Sequence, residues 1–210
     1  MKLDSRARKI LKKFPRDVQE YFYKLDKKCQ KHGITLVLRG GKALNLNGRC
    51  GGYFDSANKV LAVAIGVKNI GKILALAEHE ATHCFSQFLN PRSIWHKKGI
   101  MTKHARFSYY LSGQKIYKPK DCMLATANLE LDCERKTLRA LKKWQKYVNL
   151  ESTTKRANSY ILSHWHMLET KKWPTNTPYD RKILKHCPSS LIKNVQDVPE
   201  NLMKAFGKYL

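Results

Sequence analysis

The chain has 210 residues and carries 41 Lys and Arg against 16 Asp and Glu, a net charge of +25. One core of ordinary size suits that length, and no apolar run approaches the roughly 18 residues a membrane helix requires. The start, Met1-Lys2-Leu3-Asp4-Ser5-Arg6, is basic and lacks the apolar stretch of a signal peptide. A membrane partner and signal-peptide export are therefore not expected, whereas an intracellular setting is. The charge favours a polyanionic neighbour such as nucleic acid, with a merely solvated basic surface as the plainer alternative. The six cysteines, Cys29, Cys50, Cys84, Cys122, Cys133 and Cys187, form no C-x-x-C pair and read as reduced, buried thiols.

Residues 1–30 form a basic helical segment. Ile10, Leu11 and Phe14 line one side of a short helix between Arg6 and Phe14, and after Pro15 the three- and four-residue spacing of Val18, Tyr21, Phe22, Leu25 and Cys29 predicts an amphipathic helix ending near Gly33. Residues 34–65 read as strands and a hairpin. Ile34-Thr35-Leu36-Val37-Leu38 suits a buried strand, and Tyr53-Phe54 and Lys59 to Ile65 flank the polar turn Asp55-Ser56-Ala57-Asn58. Five glycines from Gly40 to Gly52, with Asn45 and Asn47, predict tight turns. A small, mainly antiparallel sheet is expected against the helix that follows. If its last strand is an edge, that strand would hold an extended peptide by strand addition.

Residues 70–90 carry the main clue to chemistry. His79-Glu80-Ala81-Thr82-His83 matches H-E-x-x-H, a pattern that chance would produce in about one chain in a hundred of this composition. Residues four apart fall on nearly one helix face, so both imidazoles can reach one metal ion while Glu80 points toward a bound water. Ile70, Leu74, Ala77, Ala81, Cys84 and Phe88 supply a buried face, and Pro91 is a stop signal. Two histidines that are merely packed on a helix are the bland alternative.

From Pro91 to Asp121 the sequence reads as irregular. Asp121 then caps a helix over Met123 to Val148, whose inward stripe of Met123, Ala127, Leu138 and Leu141 includes Glu130 and Glu134. Carboxylates on an apolar face need compensation, which a metal and a ligand imidazole would supply. Glu130 is therefore preferred as third ligand and Glu134 as the carboxylate that orients an imidazole. Asp132, the rival, faces nearly the opposite way. A helix from Ser152 to Thr170 follows, then a break at Lys171 to Pro178 and a last helix from Glu200 to Tyr209. Tyr160 and His164, one turn apart, are candidate transition-state donors beside a plain structural role.

With Glu130-Leu131-Asp132-Cys133-Glu134, Lys155 to Tyr160 and Lys171-Lys172-Trp173-Pro174 in view, the chain resembles the H-E-x-x-H metallopeptidase-like proteins common in tailed phages. The resemblance runs from about Gly52 to Pro188. It implies a zincin-like α+β fold, one Zn2+, and a site of His79, Glu80, His83 and a carboxylate of the second motif; for a phage-encoded chain it implies the host cytoplasm or the virion. The expected whole is a single zincin-like domain over 1–210, with its third ligand in the mostly helical part at 122–210. The expected function is zinc-dependent hydrolysis of a protein or peptide substrate. The second expectation is a catalytically silent protein of the same fold that binds nucleic acid or associates with the virion. The charge of +25, with cations and aromatics mixed in Lys142 to Tyr147, motivates it, and a helix surface with its aromatics tucked inward is the plainer reading of that stretch.

Overall fold

The structure is a computed structural model that describes residues 1–45, 49–174 and 177–210, with Arg49 described by its backbone alone. The turn expected at Asn47 and part of the break at Lys171 to Pro178, Thr175-Asn176, lie outside the described residues. The chain arranges into two compact units, one of residues 1–89 and 140–148, the other of 90–139 and 149–210. Each is described by itself.

The first unit begins with β1 (Lys2–Leu3), α1 (Ser5–Leu11) and α2 (Arg16–Lys31). Asp4 caps α1 by accepting the Ala7 amide at 2.6 Å, and its other oxygen accepts the Gly40 amide at 3.0 Å. Val18, Phe22, Leu25 and Cys29 are the buried stripe of α2, as their spacing predicts. There follow β2 (Thr35–Arg39), the short antiparallel pair β3 (Leu44–Asn45) and β4 (Arg49–Cys50), then β5 (Gly52–Asp55) and β6 (Val60–Ala64).

The main sheet has the order β1-β2-β6-β5. It is mixed and not mainly antiparallel: β1 and β2 run parallel, as do β2 and β6, and only β5 opposes β6. The apolar run Val60-Leu61-Ala62-Val63-Ala64 is the reason β6 sits inside, since a strand apolar on both faces is stable only when covered on both. The edge next to β6 is therefore β5, not the last strand. The β5–β6 turn forms as its residues predict, with Asp55 accepting from the amides of Ala57 and Asn58, both at 3.0 Å.

Helix α3 (Ile70–Ala81) starts at Asn69, whose side chain accepts the Lys72 amide at 2.9 Å, and it packs on β5 and β6. Beyond Ala81 the helix continues as a π-helix over Thr82–Phe88. The stretch Lys142 to Tyr147 also belongs to this unit and is spent on internal contacts. Trp144 is buried and donates to Glu78 at 3.3 Å, Lys143 pairs with Glu78 at 2.9 Å, and Lys146 and Tyr147 both hold Asp17.

The second unit is helical. It contains α4 (Ile100–Leu111), most of α5 (Pro119–Leu141), α6 (Leu150–Thr170), α7 (Arg181–Leu184) and α8 (Glu200–Tyr209). Helix α4 lies in the stretch read as irregular, and α5 starts before Asp121 and ends before Val148. The core gathers Phe107, Met123, Leu131, Ile161, Leu162 and Phe206. Buried Asn158 fastens the chain after α7, donating to the carbonyls of Pro188 and Ser190 and accepting the Ile192 amide. Asn158 and Ser159 of the Lys155 to Tyr160 motif are thus structural clasps. Among the described residues no helix is long and apolar enough to cross a membrane.

Candidate metal centre

The H-E-x-x-H residues sit where α3 changes to the π-helix. The Thr82 hydroxyl donates to the Glu78 carbonyl at 2.7 Å, a back-bond of the kind that bends helices. At the far end the Leu89 amide reaches the Cys84 carbonyl at 3.0 Å, an i→i−5 bond. Within this turn the two histidines converge. Nε2 of His83 lies 3.1 Å from Nε2 of His79, and the rings meet edge to face.

Gln87, one turn beyond His83, sets that ring's orientation. Its Oε1 lies 2.7 Å from His83 Nδ1, and because a carboxamide oxygen only accepts, the proton is on Nδ1 and the Nε2 lone pair points at His79. Two nitrogens 3.1 Å apart can both be ligands at about 2.0–2.1 Å from one zinc ion. The donor set and its built-in orienting partner therefore fit such an ion. Gln87 is fully buried, and no expectation from the sequence included it. Its signal was a polar residue four past His83 in an otherwise mainly apolar stretch.

Glu80 is only 6 % exposed. It lies against the edge strand: a Cβ built on Gly52 would come 3.2 Å from Glu80 Oε1. Gly52 thus leaves the room the carboxylate occupies. The Ala64 amide donates to Gly51, so Gly51, Tyr53 and Asp55 direct their backbone groups to β6, and those of Gly52 and Phe54 point away from it. The neighbouring Glu78 is in different hands, held by Trp144 and Lys143, which separates a structural carboxylate from the candidate catalytic one.

In the second unit, Glu130 is buried on α5 and Glu134 is half-buried one turn on. Asp132 faces the polar side as its position predicts, paired with Lys136 at 2.7 Å. His164 is buried, with Nδ1 3.0 Å from the Ile161 carbonyl, and it meets Tyr160 edge to face. Burial pushes the His164 pKa down, and the nearby Glu130 carboxylate pushes it part of the way back. The second unit therefore brings Glu130, His164 and Tyr160 into one neighbourhood.

All six cysteines are free, five of them buried. Burial pushes the thiols of Cys29 and Cys187 up to about 11 and that of Cys84 up to about 12, so these thiols are protonated at neutral pH. No family model, curated protein or solved structure matches the chain.

Proposed function

We propose that this protein is a zinc-dependent peptidase that hydrolyses peptide bonds of a protein substrate. The reading is carried by one observation, the approach of His79 and His83 through their Nε2 atoms with Gln87 fixing the tautomer. His79 and His83 would hold the zinc, with a third ligand that the sequence assigns to Glu130. Bound there, zinc would lower the pKa of a water toward neutrality and polarise the scissile carbonyl.

Glu80 would serve as the base, holding a water's proton on its carboxylate and passing it to the leaving amine. Its position over Gly52 puts this base beside the sheet edge, where the outward amide and carbonyl of Gly52 and Phe54 suit an extended peptide. Strand addition there supplies main-chain hydrogen bonds, so it positions a peptide with little demand on its sequence. Tyr160 and His164 remain the candidates for steadying the transition state. The likeness to the tailed-phage proteins supports the same assignment and brings the host cytoplasm or the virion as its setting.

The test uses purified full-length protein, zinc analysis and an unstructured protein substrate. Glu80→Gln is expected to keep about one zinc per chain and to lose hydrolysis by about 100-fold or more. His79→Ala is expected to lose both. Unchanged hydrolysis by Glu80→Gln, or wild-type protein that takes up no stoichiometric zinc, rejects the proposal.

A further inference from the structure

We infer that a basic cavity in the second unit is a binding site for phosphoryl groups. It is built from second-unit residues alone and does not depend on the metal reading. The cavity has a volume of about 560 Å³, inside the roughly 300–1,000 Å³ typical of ligand sites. Five cationic side chains line it against one carboxylate. That carboxylate, Asp132, is already engaged by Lys136. Arg92, Lys97, Arg135 and Lys193 are exposed around the opening, and among the described residues none of the four forms an ion pair with a carboxylate. Ile94, Ala125 and Leu131 give the cavity an apolar wall.

A second feature points the same way. Ile100, the first residue of the 12-residue helix α4, lines the cavity. This helix end starts from Gly99 in the left-handed region (φ 80°), has no side-chain cap and carries no acidic residue in its first turn. The Ile100 amide already donates to the Lys97 carbonyl at 3.1 Å, so what this end adds to the cationic lining is the positive end of the helix dipole.

Phosphate fits this lining better than carboxylate does. Two guanidinium forks and two ammonium groups offer more donors than two carboxylate oxygens accept, whereas a phosphoryl group presents three oxygens and up to two charges. No aromatic side chain is among the described lining residues, so recognition rests on phosphate and not on ring stacking. The phosphate can come from a free phosphorylated molecule or from the backbone of a nucleic-acid strand.

The experiment measures fluorescence anisotropy of a short labelled single-stranded oligodeoxynucleotide with the full chain, between about 50 and about 200 mM salt. Inorganic pyrophosphate and an oligoglutamate peptide are the competitors. The pair Arg92→Gln with Arg135→Gln is expected to weaken strand binding roughly 10-fold and to flatten the log K against log salt slope by about 1.4. Lys97→Gln with Lys193→Gln reads the same site without touching the arginines and is expected to do likewise. Lys13→Gln with Lys27→Gln, which removes the same charge from exposed positions of the first unit, is expected to leave binding nearly unchanged. Pyrophosphate that competes in wild type but not in the cavity variants supports the site and identifies a free phosphate as sufficient. Loss confined to the strand supports the site and identifies the nucleic-acid backbone. Equal losses in cavity and control variants, stronger competition by oligoglutamate than by pyrophosphate, or no strand binding at the lowest salt overturns the inference.

Discussion

His83 shows how much a single neighbour decides. An imidazole offers either nitrogen as its lone-pair atom, and the bond to Gln87 removes that freedom before any metal arrives. Gln87→Ala is therefore expected to weaken zinc binding by about 10–100-fold with little change in helical content, measured by competition with a chromophoric chelator. The third ligand is open to the same measurement. Glu130→Gln is expected to lose zinc and Asp132→Asn to keep it, because Asp132 is engaged by Lys136. Cys133, in the same motif and also a zinc-type donor, makes Cys133→Ser the necessary companion. If Asp132→Asn loses the metal and Glu130→Gln does not, the assignment falls. At this scale the His79 to His83 spacing was legible because four residues is a local distance on a helix. The place of Gly52 was not, since its use is defined by Glu80, 28 positions away.

Among the elements, those with a local cause were read well. The stripe of α2 is the one its spacing predicts, whereas the caps at Asn69 and Asn149 were not anticipated and Asp121, the expected cap, lies inside the first turn of α5. Helix α4 was missed because its sequence, flanked by Gly99 and Gly113, mixes cations and aromatics without a clear apolar period; burial of Phe107 and Leu111 is what orders it. The π-helix after Ala81 has no sequence code of its own.

Two variants test the packing of these elements. Gly71 of α3 lies so close to the Tyr147 backbone that a Cβ would overlap its carbonyl oxygen, so Gly71→Ala is expected to destabilise the protein by about 1–3 kcal/mol. An unchanged thermal midpoint would contradict that contact. Asp4 caps α1 and ties it to Gly40, and the Ala7 and Gly40 amides hold its pKa below the ordinary aspartate range. A lowered pKa means that the unfolded chain binds the proton more readily, so the contribution is present at neutral pH and is lost as pH falls through the folded value. Asp4→Ala is expected to cost about 1 kcal/mol at neutral pH in urea melts, and the difference from wild type is expected to shrink toward pH 3. A difference that persists there would assign the effect to packing.

For the whole molecule, the charge of +25 is partly organised by the fold. The cations of Lys143 and Lys146 are turned to internal pairs, whereas Arg92, Lys97, Arg135 and Lys193 around the cavity of the second unit are left to solvent. Thiol chemistry gives a global check, because five of six cysteines are buried and only Cys50 is half-buried. A thiol reagent near neutral pH is expected to modify at most the Cys50 equivalent quickly in native protein and all six after denaturation. Two or more fast equivalents would show that a helix-borne cysteine is more open than its burial implies.

The sequence by itself determined what depends on near neighbours: helix faces, the Asp55 turn, the pairing of β5 with β6, and two histidines one helical turn apart. Tertiary structure alone decided the parallel pairings β1–β2 and β2–β6, the edge at β5, the Glu80–Gly52 approach and the basic cavity. These join residues far apart in the chain, and such pairings leave no period in the sequence because their energy is realised only when distant apolar surfaces are buried together.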